Sequence, residues 1–219
     1  MLHAFGKLIL RTYFRILFSF HYEGLENIPK DTTVVLTPNH RSYYDPPFVG
    51  CTGPGKISFM AKEELFEKKL FAWLIRKLGA IPVARGKGDF TVIDTAVDTL
   101  NNGRSFLVFP EGTRSKDGKI GRGHTGAALI AAKSGKPVIP VAVIYGKKLK
   151  FRSKVLIKYG KPIYPQEYVE SQEEPNPRQL VKLKNRYMAD LKELAEADTL
   201  ALINAEPAPE KEVKEENNE

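Results

Sequence analysis

Three stretches of this chain leave little choice of fold, because they have almost no polar face. Residues 32–37 (TTVVLT), 105–109 (SFLVF) and 138–144 (VIPVAVI) are short, β-branched or aromatic, and apolar at consecutive positions. A strand that is apolar on both sides belongs inside a sheet covered on both faces, which is the habit of parallel sheets. The segments between them carry helical spacing. Residues 62–78 are expected as a helix with Gly79 as its cap, 89–100 as a second ended by Asn101-Asn102-Gly103, 125–134 as a third ended by Gly135, and 177–202 as a long fourth. Further strands are expected at 23–30 (with a turn), 57–60, 80–83 and 154–159, with Pro82 marking an edge. Strands alternating with helices predict one α/β domain with a central, mostly parallel sheet flanked by helices.

The N-terminal residues 2–20 read as an amphipathic helix. His3, Lys7, Arg11 and Arg15 recur every four positions as one basic stripe, and bulky apolar residues cover most of the rest. Such a helix suits the head-group layer of an anionic membrane. The other reading is a helix packed on the domain with its basic stripe in water. Residues 21–204 are expected to form the domain proper, and 205–219, rich in Glu and Pro, a disordered acidic tail.

The net charge is +8, and the tail carries −4 of its own, leaving +12 on residues 1–204. Such a body is drawn to anionic partners: lipid head groups, phosphorylated substrates, an acidic carrier protein or nucleic acid. The single cysteine, Cys51, permits no internal disulfide and is expected to be a small buried side chain. No apolar run reaches the roughly 18 residues of a membrane span. No secretory leader is read at the start, since Lys7, Arg11 and Arg15 interrupt the apolar stretch.

Chemistry gathers in the stretch TPNHRSYYDPP, residues 37–47. His40 and Asp45 lie five apart, about 140° around a continuous helix, so they meet only if the backbone bends between strand and helix. A carboxylate on one imidazole nitrogen leaves the other free to take a proton near neutral pH. Asn39 and Ser42 suit such a turn, and Pro46 is expected to end or redirect the segment after it. Taken alone, the stretch is equally a polar turn after a buried strand. FPEGTRS, residues 109–115, comes after another buried strand, where α/β folds place ligands. Glu111 offers an acceptor there, Gly112 permits close backbone approach, and Arg114 can grip a phosphate or carboxylate. By itself it is also a plain surface turn. GAIPVARG, residues 79–86, presents Arg85 after a strand, as an anion ligand or a solvated side chain.

Other signatures fail. GRGHTG at 121–126 fits G-x-G-x-x-G, but no strand precedes it and no acidic residue stands at the required distance beyond it. There is no phosphate-binding G-x4-G-K-[ST], no G-x-S-x-G, and no His or Cys near His124 at metal-ligand spacing.

Asn39-His40-x4-Asp45, GAIPVARG, FPEGTRS and VIPVAV stand in the order and spacing of four blocks found in the glycerolipid acyltransferases. Over about residues 15–165 the chain resembles that family, most nearly its bacterial 1-acyl-sn-glycerol-3-phosphate acyltransferases. The second block is the loosest, with Pro82 where many members carry an aromatic residue. A single amphipathic helix replaces the two-helix membrane motif that members often have. The resemblance implies transfer of a fatty acyl group from a thioester to the sn-2 hydroxyl of lysophosphatidate, giving phosphatidate. It implies His40 as general base oriented by Asp45, Arg85, Arg114 and Lys62 on the acceptor phosphate, and Glu111 and Gly112 on the glycerol part. It implies no cofactor and no metal beyond an acyl-CoA or acyl-carrier-protein co-substrate. An anionic membrane surface rather than nucleic acid would be the partner, with peripheral or monotopic placement on the cytoplasmic face of the cell membrane. Two alternatives stay open: the same chemistry on glycerol 3-phosphate or another lysophospholipid, and a non-catalytic membrane-surface or nucleic-acid binding protein.

Overall fold

In the computed structural model, residues 2–83 and 90–204 are described. Arg85 and the acidic tail 205–219 therefore lie outside the described residues. Seven strands form one sheet: β1 (Ser19–Glu23), β2 (Val35–Pro38), β3 (Ile57–Lys62), β4 (Ala80–Val83), β5 (Ser105–Leu107), β6 (Val138–Tyr145) and β7 (Lys154–Tyr159). Their spatial order is β1-β7-β6-β2-β5-β3-β4. Only β6 and β7 pair antiparallel, so five strands run one way and the β1–β7 pair runs the other. Among the described residues six α-helices cover the sheet: α1 (Leu2–Leu17), α2 (Asp45–Thr52), α3 (Lys69–Lys77), α4 (Phe90–Asn101), α5 (Gly126–Ser134) and α6 (Pro177–Asn204).

The strands without a polar face fill the centre, and their alternation builds two cores. Val35, Phe106, Val138, Ala142 and Ile144 point to one side and pack with α4, α5 and α6. Leu36, Leu107, Ile139, Val141, Val143 and Tyr145 point to the other and pack with α1 and α2. Pro82 sits in β4, at the sheet edge as expected. Pro140 sits in the interior strand β6. Its carbonyl accepts from Gly160 N–H at 2.9 Å, so its missing N–H faces the place where the chain has just left β7.

Several boundaries differ from the sequence reading. The N-terminal helix stops at Leu17; Ser19 and Phe20, expected inside it, begin the strand Ser19–Glu23, which pairs with β7. The expected strand at 23–30 is instead the end of β1 and a one-turn 3₁₀ helix, Leu25–Asn27. The expected helix 62–78 begins as the end of β3 and a 3₁₀ turn, Glu63–Phe66, before α3. Pro46 and Pro47 do not end an element; they open α2, where the absent N–H groups cost nothing and the fixed φ suits the first turn.

Of the basic stripe of α1, Lys7 and Arg11 turn inward while Arg15 is exposed. Lys7 Nζ donates to the Gly53 carbonyl at 2.7 Å and Arg11 Nε to the Cys51 carbonyl at 2.6 Å. Two cations thus meet the carbonyl end of α2, where the helix dipole favours positive charge. Burial and the neighbouring Arg11 push the Lys7 amine down to about 8. Cys51 is buried as expected, and burial pushes its thiol up to about 12, which keeps it inert. Between the two helices Phe48 stacks among Phe14 (ring centroids 4.7 Å apart), Phe20 (5.3 Å), Phe18 (5.7 Å) and Tyr44 (5.7 Å). The outward side of α1 exposes Phe5, Leu8, Ile9, Tyr13 and Ile16. Among the described residues no helix is long and apolar enough to cross a membrane.

Phe48 joins α1 to α2 and to β1, so truncating it opens a cavity in the middle of that cluster. Phe48→Ala is expected to cost about 3–5 kcal/mol of stability, read as a shift of the urea-unfolding midpoint.

Candidate active site

Every described candidate residue lies at the carboxyl end of the parallel strands. β2 ends at Pro38, and Asn39 then takes the place of a further rung in the ladder. Its Oδ1 accepts from Val143 N–H at 2.7 Å, and its Nδ2 donates to the Val143 carbonyl at 3.0 Å. Arg41 holds the other side of His40 to the end of β6. Its guanidinium donates to the carbonyls of Tyr145 (2.7 Å) and Gly146 (3.0 Å) and lies 4.1 Å over the Tyr145 ring. His40 is thus suspended between two anchors on one strand.

Asp45 is the first residue of α2 and is 0% exposed. Its Oδ2 lies 2.8 Å from His40 Nδ1 and accepts the backbone N–H groups of Arg41 (2.6 Å) and Ser42 (2.7 Å); its Oδ1 accepts the Ser42 hydroxyl at 3.3 Å. A buried carboxylate needs such compensation, and the start of a helix adds to it. Burial, then the charge of Asp45, pushes the nearby Tyr145 phenol up to about 12, so it stays protonated. The carboxylate fixes the imidazole tautomer, with the proton on Nδ1 and the lone pair on Nε2. Among the described residues Nε2 has no hydrogen-bond partner. The His40 side chain is 17% exposed, and the Phe109 ring stacks on it at 3.8 Å between centroids and 22° between planes. The two residues five apart in sequence do meet, through the bend that Asn39 and Arg41 enforce.

Glu111 turns both carboxylate oxygens to the backbone around it. It is 8% exposed, and each carboxylate oxygen takes a backbone N–H: Oε1 that of His40 at 2.8 Å, Oε2 that of Gly121 at 2.8 Å. Ser115 N–H donates to the His40 carbonyl at 2.8 Å. The FPEGTRS turn therefore grips His40 by both of its backbone groups. Gly112 has φ +69°, and a Cβ there would meet the His124 ring at 3.4 Å. The GRGHTG stretch is a loop packed against Glu111 that leads into α5.

Arg114 is exposed, with Nη2 donating to the Tyr43 hydroxyl at 3.1 Å and its guanidinium 3.9 Å over the Tyr43 ring. Tyr43 stands three residues after His40, and Arg114 stands three residues after Glu111, so the pair joins the two turns that carry the candidate residues. Lys62 ends β3 and is exposed. Phe59 and Leu36 both pair with Leu107, which puts Lys62 level with Asn39 and Pro110 at the same rim. Arg85 comes two positions after β4 and lies outside the described residues. Asn39 and Ser42 were visible only as turn formers, and Arg41, Tyr43 and Phe109 not at all. Their partners lie up to about a hundred positions away, and no local pattern announces such pairings. Among the described residues no group of three or more His, Cys, Asp or Glu side chains could hold a metal ion.

A carboxylate-held imidazole at the carboxyl edge of a mostly parallel sheet is an arrangement that can carry a proton, at the place where α/β folds bind ligands. A family model described as Acyltransferase matches residues 19–144. With more than half of its length matched, the chain belongs to the acyltransferase family. It is 33% identical over 153 residues to a chloroplastic 1-acyl-sn-glycerol-3-phosphate acyltransferase of Brassica napus, covering 65% of this chain and 44% of that one. It is 32% identical over 148 residues to the 1-acyl-sn-glycerol-3-phosphate acyltransferase of Bacillus subtilis, covering 65% and 73%. Its fold is similar to the crystal structure of the 1-acyl-sn-glycerophosphate acyltransferase PlsC from Thermotoga maritima, with a TM-score of 0.72, 28% identity, and 94% and 81% of the two chains covered. The chain spans about half the length of several of the curated relatives it matches.

Glu111→Gln keeps the shape but turns an amide NH₂ toward one of the two backbone N–H groups. It is expected to cost about 1–3 kcal/mol of stability and to lower kcat more than it raises KM, because it loosens His40 and leaves Arg114 in place. Urea unfolding and steady-state kinetics on the same preparation check it.

Proposed function

We propose that this protein transfers a fatty acyl group from a thioester to the sn-2 hydroxyl of 1-acyl-sn-glycerol 3-phosphate, forming phosphatidate. The observation that carries the reading is His40, held through Nδ1 by buried Asp45, with no hydrogen-bond partner on Nε2 among the described residues. The names of the relatives from Brassica napus, Bacillus subtilis and Thermotoga maritima support the acceptor.

The residues suit each step. Arg114 takes the acceptor phosphate through paired N–H groups, with Lys62 and Arg85 as further cations. His40 Nε2 accepts the proton of the sn-2 hydroxyl as that oxygen attacks the thioester carbonyl. The tetrahedral intermediate collapses, the C–S bond breaks, and the imidazolium returns its proton to the departing thiolate. Asp45 stabilises the imidazolium between the two transfers. A thioester is already activated, so alignment and one base suffice without a covalent enzyme intermediate. Glu111 and the tight turn at Gly112 keep the histidine backbone still. The acyl donor is carried on coenzyme A or acyl-carrier protein, and the basic body fits the phosphates of one and the acidic surface of the other. The outward apolar side of α1 rests in an anionic membrane, peripherally and on the cytoplasmic side, where lysophosphatidate and phosphatidate reside.

The test uses purified protein, lysophosphatidate in mixed micelles, and acyl-CoA or acyl-carrier-protein donors in parallel, with phosphatidate followed by mass spectrometry. Glycerol 3-phosphate and a lysophospholipid without a phosphate monoester serve as competing acceptors. Phosphatidate is expected from the parent, with His40→Ala slower by about 10²–10⁴-fold. Faster turnover of another acceptor, or full activity in His40→Ala, overturns the reading.

A further inference from the structure

The outward side of α3 has no role in the chemistry above, yet it is among the most exposed apolar surfaces of the molecule. Ala72 and Ile75 turn inward and are buried, whereas Leu70 is 81% exposed and Trp73 59%. Leu65 and Leu78 are also exposed at either end. Lys68, Lys69, Arg76 and Lys77 surround them, all exposed. The acidic residues nearby, Glu63, Glu64 and Glu67, precede α3, which itself has none. Large apolar side chains flanked by cations, with a tryptophan among them, have the composition of a helix seated at a lipid–water boundary.

Topology sets this helix beside α1. The crossovers β2–α2–β3 and β3–α3–β4 advance in the same direction across the sheet. Parallel crossovers are right-handed, so α2 and α3 cover the same face. α1 packs on α2 through Phe14 and Phe48, on that face as well. One layer of helices thus carries two outward apolar surfaces, that of α1 and that of α3, on either side of α2. Tyr43 and Tyr44, both exposed, precede α2 at the rim of the site.

We propose that α3 is a second membrane contact, with Leu70 and Trp73 entering the boundary of an anionic bilayer while Lys69 and Lys77 meet its head groups. This deepens the lipid-acylating reading, because two contacts across α2 set the layer of α1–α3 flat on the surface and bring the site's rim to the lipid. The occupant is a bilayer rather than a second copy of this chain, since two α3 helices face to face would oppose like charges.

Trp73 is the only tryptophan in the chain, so its fluorescence reads this one position. The experiment uses the full-length protein with vesicles of phosphatidylcholine alone or with phosphatidylglycerol added. Flotation measures binding; emission maximum, acrylamide quenching and quenching by brominated lipid measure where Trp73 sits. Binding to the anionic vesicles is expected to move the emission to the blue, shield Trp73 from acrylamide and expose it to brominated chains. Leu70→Ser is expected to weaken vesicle binding about tenfold while leaving turnover of a short-chain, soluble acceptor unchanged. Protein that floats with vesicles while Trp73 stays open to acrylamide and untouched by brominated lipid overturns the α3 contact and leaves α1 as the anchor. Protein that does not float overturns both. A blue shift without vesicles that grows with protein concentration names a second copy as the occupant, and also overturns the proposal.

Discussion

The carboxylate of Asp45 is the point on which the site turns. It collects an imidazole N–H, two backbone N–H groups and a hydroxyl while wholly removed from water. A buried charge of this kind is tolerable only when fully compensated, so its environment dictates local structure. The backbone at Arg41 and Ser42 must curl around it, α2 must start at it, and the imidazole must meet it through Nδ1. The opposite end of α2 is treated in the same way with the signs reversed, where Lys7 and Arg11 donate to its last carbonyls. A helix of eight residues is thereby matched electrostatically at both ends, and α1 becomes part of the frame of the site.

The parts of this architecture that show in the sequence are those whose cause is local. Val35, Phe106 and Ile139 stand in strands without a polar side, and that property alone implied a sheet covered on both faces. His40 and Asp45 showed through their spacing and the need for a bend. The parts that did not show depend on distant partners. Pro46 read as a residue that ends or redirects the chain, and what makes Pro46 and Pro47 the opening of a helix is Asp45, buried at its first position. The direction of the α1 stripe was illegible because its partners are the carbonyls of Cys51 and Gly53, which any residue would carry. Glu111 looked like a ligand for substrate because acidic residues in glycine turns often are. Only the fold brings His40 N–H and Gly121 N–H to its two oxygens.

Rigid and open parts of the site divide by their partners. His40 is fixed from both neighbouring residues, from both of its backbone groups and from one ring nitrogen, so little freedom remains beyond the lone pair of Nε2. Arg114 has only the exposed Tyr43 ring and hydroxyl behind it, and Lys62 stands exposed at a strand end. Under the proposed reaction, the group that would hold a fixed angle to an attacking oxygen is overdetermined. The groups that would track a phosphate keep play in their side chains.

The reversed pair β1–β7 has a consequence for the order in which the protein takes shape. Ser19 pairs with Lys154 and Glu23 with Lys158, so β1 finds its ladder only when β7 has been made. Pairing over so long a separation is slow, because the loop must close before any contact rewards it. During synthesis α1 precedes every strand of the sheet, and the residues it will bury, Phe14 and Phe18, are still uncovered beside those it leaves exposed. A chain in that state exposes more apolar surface along α1 than the finished protein does, and it does so until β7 draws β1, and α1 with it, onto the sheet.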